Sequence, residues 1–160
     1  MDMVQTKRQG LFERMRMTVR RATKAMFPAP VREYRMLSES DYFRLQAILS
    51  KGLKEIGSAE ARHARRMRQL LKRGFLFACK RIPYSVVTMN SQVQLRSLRG
   101  TRFAVTLVYP QDADKKQRKI SVLSPLGMSL LGRAAGQSLS RNLVIEKVLY
   151  QPEIAGDFHL

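Results

Sequence analysis

Apolar residues recur at helical spacing in the N-terminal part of the chain. Between Leu11 and Phe27 they fall at steps of three and four residues, and arginine and lysine fill most of the remaining positions. This period is typical of an amphipathic helix, and Pro28 and Pro30 end it. The pattern predicts a basic amphipathic extension over residues 1–32. Such a segment fits a membrane surface, a groove on a partner, a transit peptide or a poorly ordered arm, and the pattern does not choose among them.

Two further helical patterns follow, separated by a short link that contains Gly52 and Gly57. Residues 38–41 read S-E-S-D, the spacing at which a helix begins, so we predict a first helix over residues 39–51. We predict a second helix from Ser58 to about Lys80, with an apolar face formed by Met67, Leu70, Leu71, Phe75 and Ala78. Two such helices form a short antiparallel hairpin over residues 33–82.

Beyond Pro83 the apolar period changes to two, which is typical of strands. The predicted strands include residues 93–95, 103–109, 120–122 and 143–150, with Arg99 and Gly100 as the first turn. Residues 126–133 have the pattern of one short helix. The fold class predicted for residues 83–160 is therefore α+β, an antiparallel sheet wrapped on one short helix.

The charge of the chain is far from balanced. Its 30 Lys and Arg residues outnumber its 12 Asp and Glu residues, which gives a formal net charge of +18. The excess is +6 in residues 1–32, +7 in residues 33–82 and +5 in residues 83–160, so it is not confined to a tail. A polyanionic partner is implied. Direct nucleic-acid contact fits this excess, and so, with equal weight, does a lineage whose proteins are generally basic or a partner that is an acidic protein. The predicted contact residues lie on the second helix: Arg62, Arg65, Arg66, Arg68, Lys72 and Arg73.

Groups that could carry catalysis are sparse. The chain has one cysteine, Cys79, two histidines, His63 and His159, and neither a phosphate-binding G-x-x-x-x-G-K-[ST] motif nor an H-E-x-x-H motif. We therefore predict no enzymatic activity, no catalytic residues, no metal site and no cofactor. No apolar run approaches the ~18–20 residues of a membrane span, and no secretory signal is evident. The expected location is a reducing cytoplasm.

Four sequence blocks occur in an order that is familiar from one protein family. They are V-V-T-M-N-S-Q-V at residues 86–93, T-L-V-Y-P at 106–110, I-S-V-L-S-P-L-G-M-S-L-L-G-R-A-A-G at 120–136 and Y-Q-P-E-I-A-G-D-F at 150–158. Together they resemble the C-terminal domain of the GreA/GreB transcription elongation factor superfamily, with the greatest similarity to its regulator of nucleoside diphosphate kinase subgroup. The resemblance covers roughly residues 82–160 and implies an FKBP-like arrangement of the sheet.

The resemblance also implies a partner, RNA polymerase. The residues that match the family's docking turn are Leu123, Ser124, Pro125 and Leu126. Leu123 and Gln137 replace acidic residues that are common in the family, and Ser124 and Pro125 also have the pattern of a helix cap followed by a first-turn proline.

In transcript-cleavage factors a long helical hairpin carries acidic residues at its tip, which help hold a magnesium ion. Here the tip falls at Lys54 and Glu55, where one carboxylate is surrounded by cations. A helix over residues 39–51 is also only roughly 20 Å long. We therefore expect docking near the secondary channel without transcript cleavage. Two alternatives are a non-specific nucleic-acid-binding protein, and a peptidyl-prolyl isomerase suggested only by the fold.

Overall fold

The computed structural model describes residues 35–51, 58–140 and 142–157. All of them lie in one compact unit, Tyr34–Leu160. The predicted N-terminal extension and the predicted hairpin tip at Lys54 and Glu55 lie outside the described residues. No helix in the described part of the chain is long and apolar enough to cross a membrane.

Two helices form where the 3.6-residue period predicts them. Helix α1 spans Glu39–Lys51 and helix α2 spans Ser58–Lys72. The hydroxyl of Ser38 accepts a hydrogen bond from the backbone N–H of Asp41 at 3.2 Å, which satisfies one of the free donors at the start of α1. The residues that α1 and α2 bury in the core are Leu45, Leu49, Ala64, Met67 and Leu71. The antiparallel pairing of the helices as a hairpin stays a prediction, because residues 52–57 are not described.

The predicted extension of α2 to Lys80 is wrong. The helix ends at Lys72, and the chain continues as strand β2, Phe75–Phe77, which pairs in parallel with strand β1, Met36–Ser38. Pairing with β1 competes with continuation of the helix, and Gly74 favours the break because glycine is a poor helix former. A Cβ at position 74 would also lie 2.4 Å from the side chain of Leu37 in β1. Phe75 is consequently more than half exposed, at 53%, instead of lying on a buried helix face.

A five-stranded sheet makes up most of the second half of the chain. Its remaining strands are β3 (Gln92–Ser97), β4 (Arg102–Val108), β5 (Lys119–Ser121), β6 (Ser138–Ser140) and β7 (Leu143–Tyr150). The strand order is β5-β4-β3-β7-β6. Strands β3, β4, β6 and β7 pair in antiparallel fashion, and the register of β7 on β3 shifts at two irregularities.

The sheet is mixed, so the prediction of an antiparallel sheet needs correction. Strand β5 runs parallel to β4, with Thr106 opposite Lys119. The connection between the two strands first returns along the sheet edge through a short 3-10 turn at Pro110–Asp112. Alternation of apolar residues identifies a strand but not its direction, and this is why the pattern alone did not reveal the parallel pair.

Two short helices complete the fold: α3 spans Pro125–Leu130 and α4 spans Pro152–Ala155. Helix α3 is shorter than the predicted range 126–133. Its buried residues Met128 and Leu130 join the inward-facing residues of the sheet, such as Val93, Leu95 and Ile145, in one hydrophobic cluster.

The same cluster contains the buried residues of α1 and α2. Helices and sheet therefore share a single core, which continues across the position predicted as a domain boundary at Pro83. The subdivision into 33–82 and 83–160 stays a prediction.

Candidate functional site

The turn between β5 and α3 is held by its own hydrogen bonds. The hydroxyl of Ser124 donates to the carbonyl of Ser121 at 2.7 Å and accepts from the backbone N–H of Gly127 at 3.0 Å. Pro125 then occupies the first helical position, where its missing N–H costs nothing. Both sequence signals for a helix start are thus confirmed, and the turn is preorganised.

Helix α3 is fixed at both of its ends. At the start, a Cβ on Gly127 would lie 2.1 Å from the carbonyl oxygen of Ser121, so only glycine allows the helix to approach the strand this closely. At the end, the guanidinium of Arg35 donates to the carbonyls of Ser129 and Leu131, both at 2.8 Å. A cation at a helix C-terminus is also favoured by the helix dipole. The turn is therefore tied to the segment that leads into β1 and α1.

The four residues predicted to dock are brought together, but they differ in what they present. Pro125 is exposed, whereas Leu123, Ser124 and Leu126 are half-buried. Leu123 and Leu126 pack against the core, and the hydroxyl of Ser124 is used inside the turn. The accessible contact that this turn offers is accordingly apolar and centred on Pro125.

The second predicted surface lies on α2. Arg62, Arg65, Arg66, Lys72 and Arg73 are exposed. None of these five cations makes a salt bridge with another described residue. Five residues of α2 line a groove of about 450 Å³: Arg62, His63, Arg65, Arg66 and Gln69.

Arg68 differs from the other cations of α2. Its guanidinium is half-buried and donates to the carbonyl of Leu49 at 2.8 Å. This bond satisfies a backbone acceptor in the last turn of α1 and joins the two helices. Arg68 therefore has a structural role, and the exposed basic surface consists of the remaining five residues.

A buried polar junction was not anticipated from the sequence. The carboxylate of Asp41, whose residue is 5% exposed, accepts a hydrogen bond from the backbone N–H of Met89 at 3.0 Å and one from the hydroxyl of Tyr109 at 3.4 Å. The S-x-x-D spacing at residues 38–41 predicts only a helix start. No local signal reveals the actual partners, because they lie 48 and 68 residues further along the chain.

The electrostatics of this junction are dominated by burial. Burial raises the pKa of the Asp41 carboxyl to about 6, and the Glu153 carboxylate adds to the rise. The Met89 N–H, the Ser38 hydroxyl and the Arg44 guanidinium lower the pKa in part, because each favours the charged form. Burial also raises the pKa of Tyr109, followed by repulsion from Asp41.

The junction also reaches the C-terminal helix α4. The hydroxyl of Thr88 donates to the carboxylate of Glu153 at 2.7 Å and lies 2.9 Å from the hydroxyl of Ser91. The segment before β3 is thereby joined to α1 on one side and to α4 on the other. No group of three His, Cys, Asp or Glu side chains in the described ranges is arranged to hold a metal ion.

Comparison with known proteins assigns the chain to a family. The family model "Transcription elongation factor, GreA/GreB, C-term" matches residues 82–150. The chain is 36% identical over 99 residues to the regulators of nucleoside diphosphate kinase from Escherichia coli (strain K12) and Shigella flexneri, and this match covers 56% of the chain and 73% of each relative. The chain belongs to the GreA/GreB family.

A solved structure from the GreA/GreB family supports the same assignment. It is the prokaryotic transcription elongation factor GreA/GreB from Nitrosomonas europaea, with 32% identity and a TM-score of 0.63. That likeness covers 72% of this chain and 99% of the other. The turn at residues 121–126 lies inside the region matched by the GreA/GreB model, whereas α1 and α2 lie outside it.

The pKa of Asp41 predicts how stability depends on pH. Because its folded pKa of about 6 lies above the ordinary value of 3.8 for an aspartic acid, the folded state binds the proton more tightly, and stability falls as pH rises through this window. Between pH 4.5 and 7.5 the loss assigned to Asp41 is about 2 kcal/mol. Urea unfolding of Asp41→Asn should show a pH dependence reduced by this amount.

The exposed Asp112 provides the matched control. Asp112→Asn should retain the pH dependence of the original chain. An Asp41→Asn variant whose free energy of unfolding follows pH as steeply as that of the original chain would show that the junction does not titrate in this range.

Proposed function

We propose that the chain is a bacterial regulator of transcription elongation that binds RNA polymerase near its secondary channel through the turn at residues 121–126. The observation that carries this proposal is the geometry of that turn. An exposed proline stands on a rigid turn inside the region that matches the GreA/GreB model. A preorganised apolar contact loses little conformational entropy on binding. The FKBP-like description of the domain and a cytoplasmic location belong to the same proposal.

We further propose that the protein acts by occupancy and not by transcript cleavage. Its first helix has 13 residues and is therefore roughly 20 Å long, which limits the reach of the helical segment. The residues of the link, 52–57, include one carboxylate, Glu55, beside Lys54. A single carboxylate next to a cation is a poor magnesium site, because the metal meets repulsion in addition to its dehydration cost.

Replacing Pro125 by glutamate tests the docking surface. Glutamate is well tolerated in a first helical turn, and the cap formed by Ser124 is left intact, so the fold should persist. A charge in the centre of an apolar contact should weaken the affinity for purified core RNA polymerase at least tenfold. Fluorescence anisotropy with the labelled full-length chain measures this change.

Gln92→Glu, an equal change of charge at an exposed position of β3, is the control and should leave the affinity within twofold. Equal affinities of the Pro125→Glu and Gln92→Glu variants, with unchanged circular dichroism, would remove the turn from the interface. Magnesium-dependent release of short RNA fragments from backtracked polymerase, abolished by Glu55→Ala, would contradict action by occupancy.

A second candidate function is non-specific nucleic-acid binding by α2. The observation that favours it is the set of exposed cations along one helix that make no ion pair with another described residue, with a groove among them. Cations that contact phosphates release the counterions bound to the nucleic acid.

The salt dependence of binding to duplex DNA measures this contribution. Changing Arg62, Arg65 and Arg66 to glutamine should reduce the slope of log affinity against log salt by between about 2 and 3, since each phosphate contact contributes about 0.9. Changing Arg96 and Arg102, which share Glu146, should reduce it much less. An unchanged slope in the α2 variant would assign the DNA contact to another surface.

A further inference from the structure

A groove of about 780 Å³ lies between α1 and the edge of the sheet formed by β4 and β5. One wall consists of Arg44, Ala47 and Ile48, which share a face of α1. The other wall contains Thr106, Val108 and Lys119. Its volume lies within the range of roughly 300–1,000 Å³ that is typical of ligand sites in proteins. The groove is separate from the turn and from the basic surface of α2.

The base of the groove is apolar and firmly held. Val108 and Tyr109 are buried, and Ile48 is half-buried. The carbonyl of Val108 accepts from the backbone N–H of Val122 at 2.9 Å, and the hydroxyl of Tyr109 donates to Asp41 at 3.4 Å. Val108 and Tyr109 therefore form a fixed floor, and the accessible apolar surface is that of Ala47 and Ile48 on α1. An aliphatic or aromatic side chain can pack there without ordering the groove first.

Three polar side chains around this base are available for hydrogen bonds to a ligand. The side chains of Asn90, Thr106 and Gln111 line the groove, and none of them makes a hydrogen bond to another described residue. An amide or a hydroxyl can both donate and accept. These three groups match the alternating N–H and C=O groups of a peptide backbone.

The charges at the groove favour an anionic ligand. Lys119 is half-buried and makes no salt bridge with any described residue. Arg44 lies on the opposite wall, and its charge also acts on Asp41. Asp112 is the one carboxylate among the described lining residues. In the adjoining loop, the carboxylate of Asp114 already accepts from the backbone N–H of Lys116 at 2.7 Å.

The aromatic content of the groove argues against a nucleobase. Tyr109 supplies the one ring among the described lining residues, and this residue is only 6% exposed. Sequence-tolerant binding of single strands relies on exposed rings on which bases stack.

We propose that this groove binds an acidic peptide segment of a partner protein, with one bulky apolar side chain against Ala47 and Ile48 of α1 and a carboxylate beside Lys119. The peptide backbone meets Asn90, Thr106 and Gln111. This site goes beyond docking through the turn at residues 121–126 and does not depend on it.

Titration of the ¹⁵N-labelled full-length chain with the synthetic peptide acetyl-Glu-Glu-Leu-Phe-Asp-Glu-amide tests the proposal by NMR. Saturable shifts are expected at the amides of Ile48, Asn90 and Lys119. Lys119→Glu should weaken binding at least tenfold. Lys119→Gln removes the positive charge without adding a negative one, so it disturbs the fold less, and it should weaken peptide binding severalfold. Lys147→Glu, an equal change on the exposed part of β7, should leave the affinity within twofold.

Two further ligands test whether the groove requires apolar side chains and whether it binds nucleic acid. The peptide acetyl-Glu-Glu-Gly-Ser-Asp-Glu-amide, which lacks the apolar side chains, and the oligonucleotide (dT)₁₀ should not compete for the groove. The proposal is overturned by the absence of saturable shifts at millimolar peptide, by equal affinities of the Lys119 and Lys147 variants, or by stronger binding of (dT)₁₀ at the same amides. Pro125→Glu should bind the peptide normally, so failure of polymerase docking and failure of the groove are distinguishable.

Discussion

The close approach of α3 to the end of β5 is the constraint on which the rest of the structure depends. Only a glycine fits at position 127, where a Cβ would lie 2.1 Å from the carbonyl oxygen of Ser121. This approach places the last carbonyls of α3 within reach of Arg35, which donates to two of them at 2.8 Å. Because Arg35 immediately precedes β1, the turn on one side of α3 and the helices on the other are fixed by the same short helix.

A second tie joins α1 to the sheet through the buried carboxylate of Asp41. Its hydrogen bonds from Met89 and Tyr109 replace the water that a carboxylate normally holds. The burial that raises its pKa to about 6 also means that ionisation of this carboxyl lowers the stability of the fold, because the cost of desolvation exceeds what the hydrogen bonds return. Helices and sheet share one core around these ties, so the apolar turn and the basic surface of α2 are held on one body at fixed relative positions.

Local patterns predicted much of this fold and little of its long-range chemistry. The bounds of α1 and β7 and the cap formed by Ser124 follow from periodicity and helix-start chemistry, which depend on neighbouring residues. The predicted end of α2 and the predicted direction of β5 were wrong, because both features depend on pairing with strands that are distant in the sequence. The junction at Asp41 and the inward turn of Arg68 were missed for the same physical reason, since tertiary contacts decide which polar groups are buried.

The central claim is that helices and sheet form one cooperative unit, and native-state hydrogen exchange in increasing urea tests it most directly. Amides in the middle of α1 and α2, such as those of Leu45 and Met67, should open with the same free energy and the same urea dependence as those of Leu95 and Ile145 in the sheet. Opening of the helix amides at a lower free energy and with a smaller urea dependence than the sheet amides would contradict the claim. It would show that the helical segment unfolds by itself while the sheet stays folded.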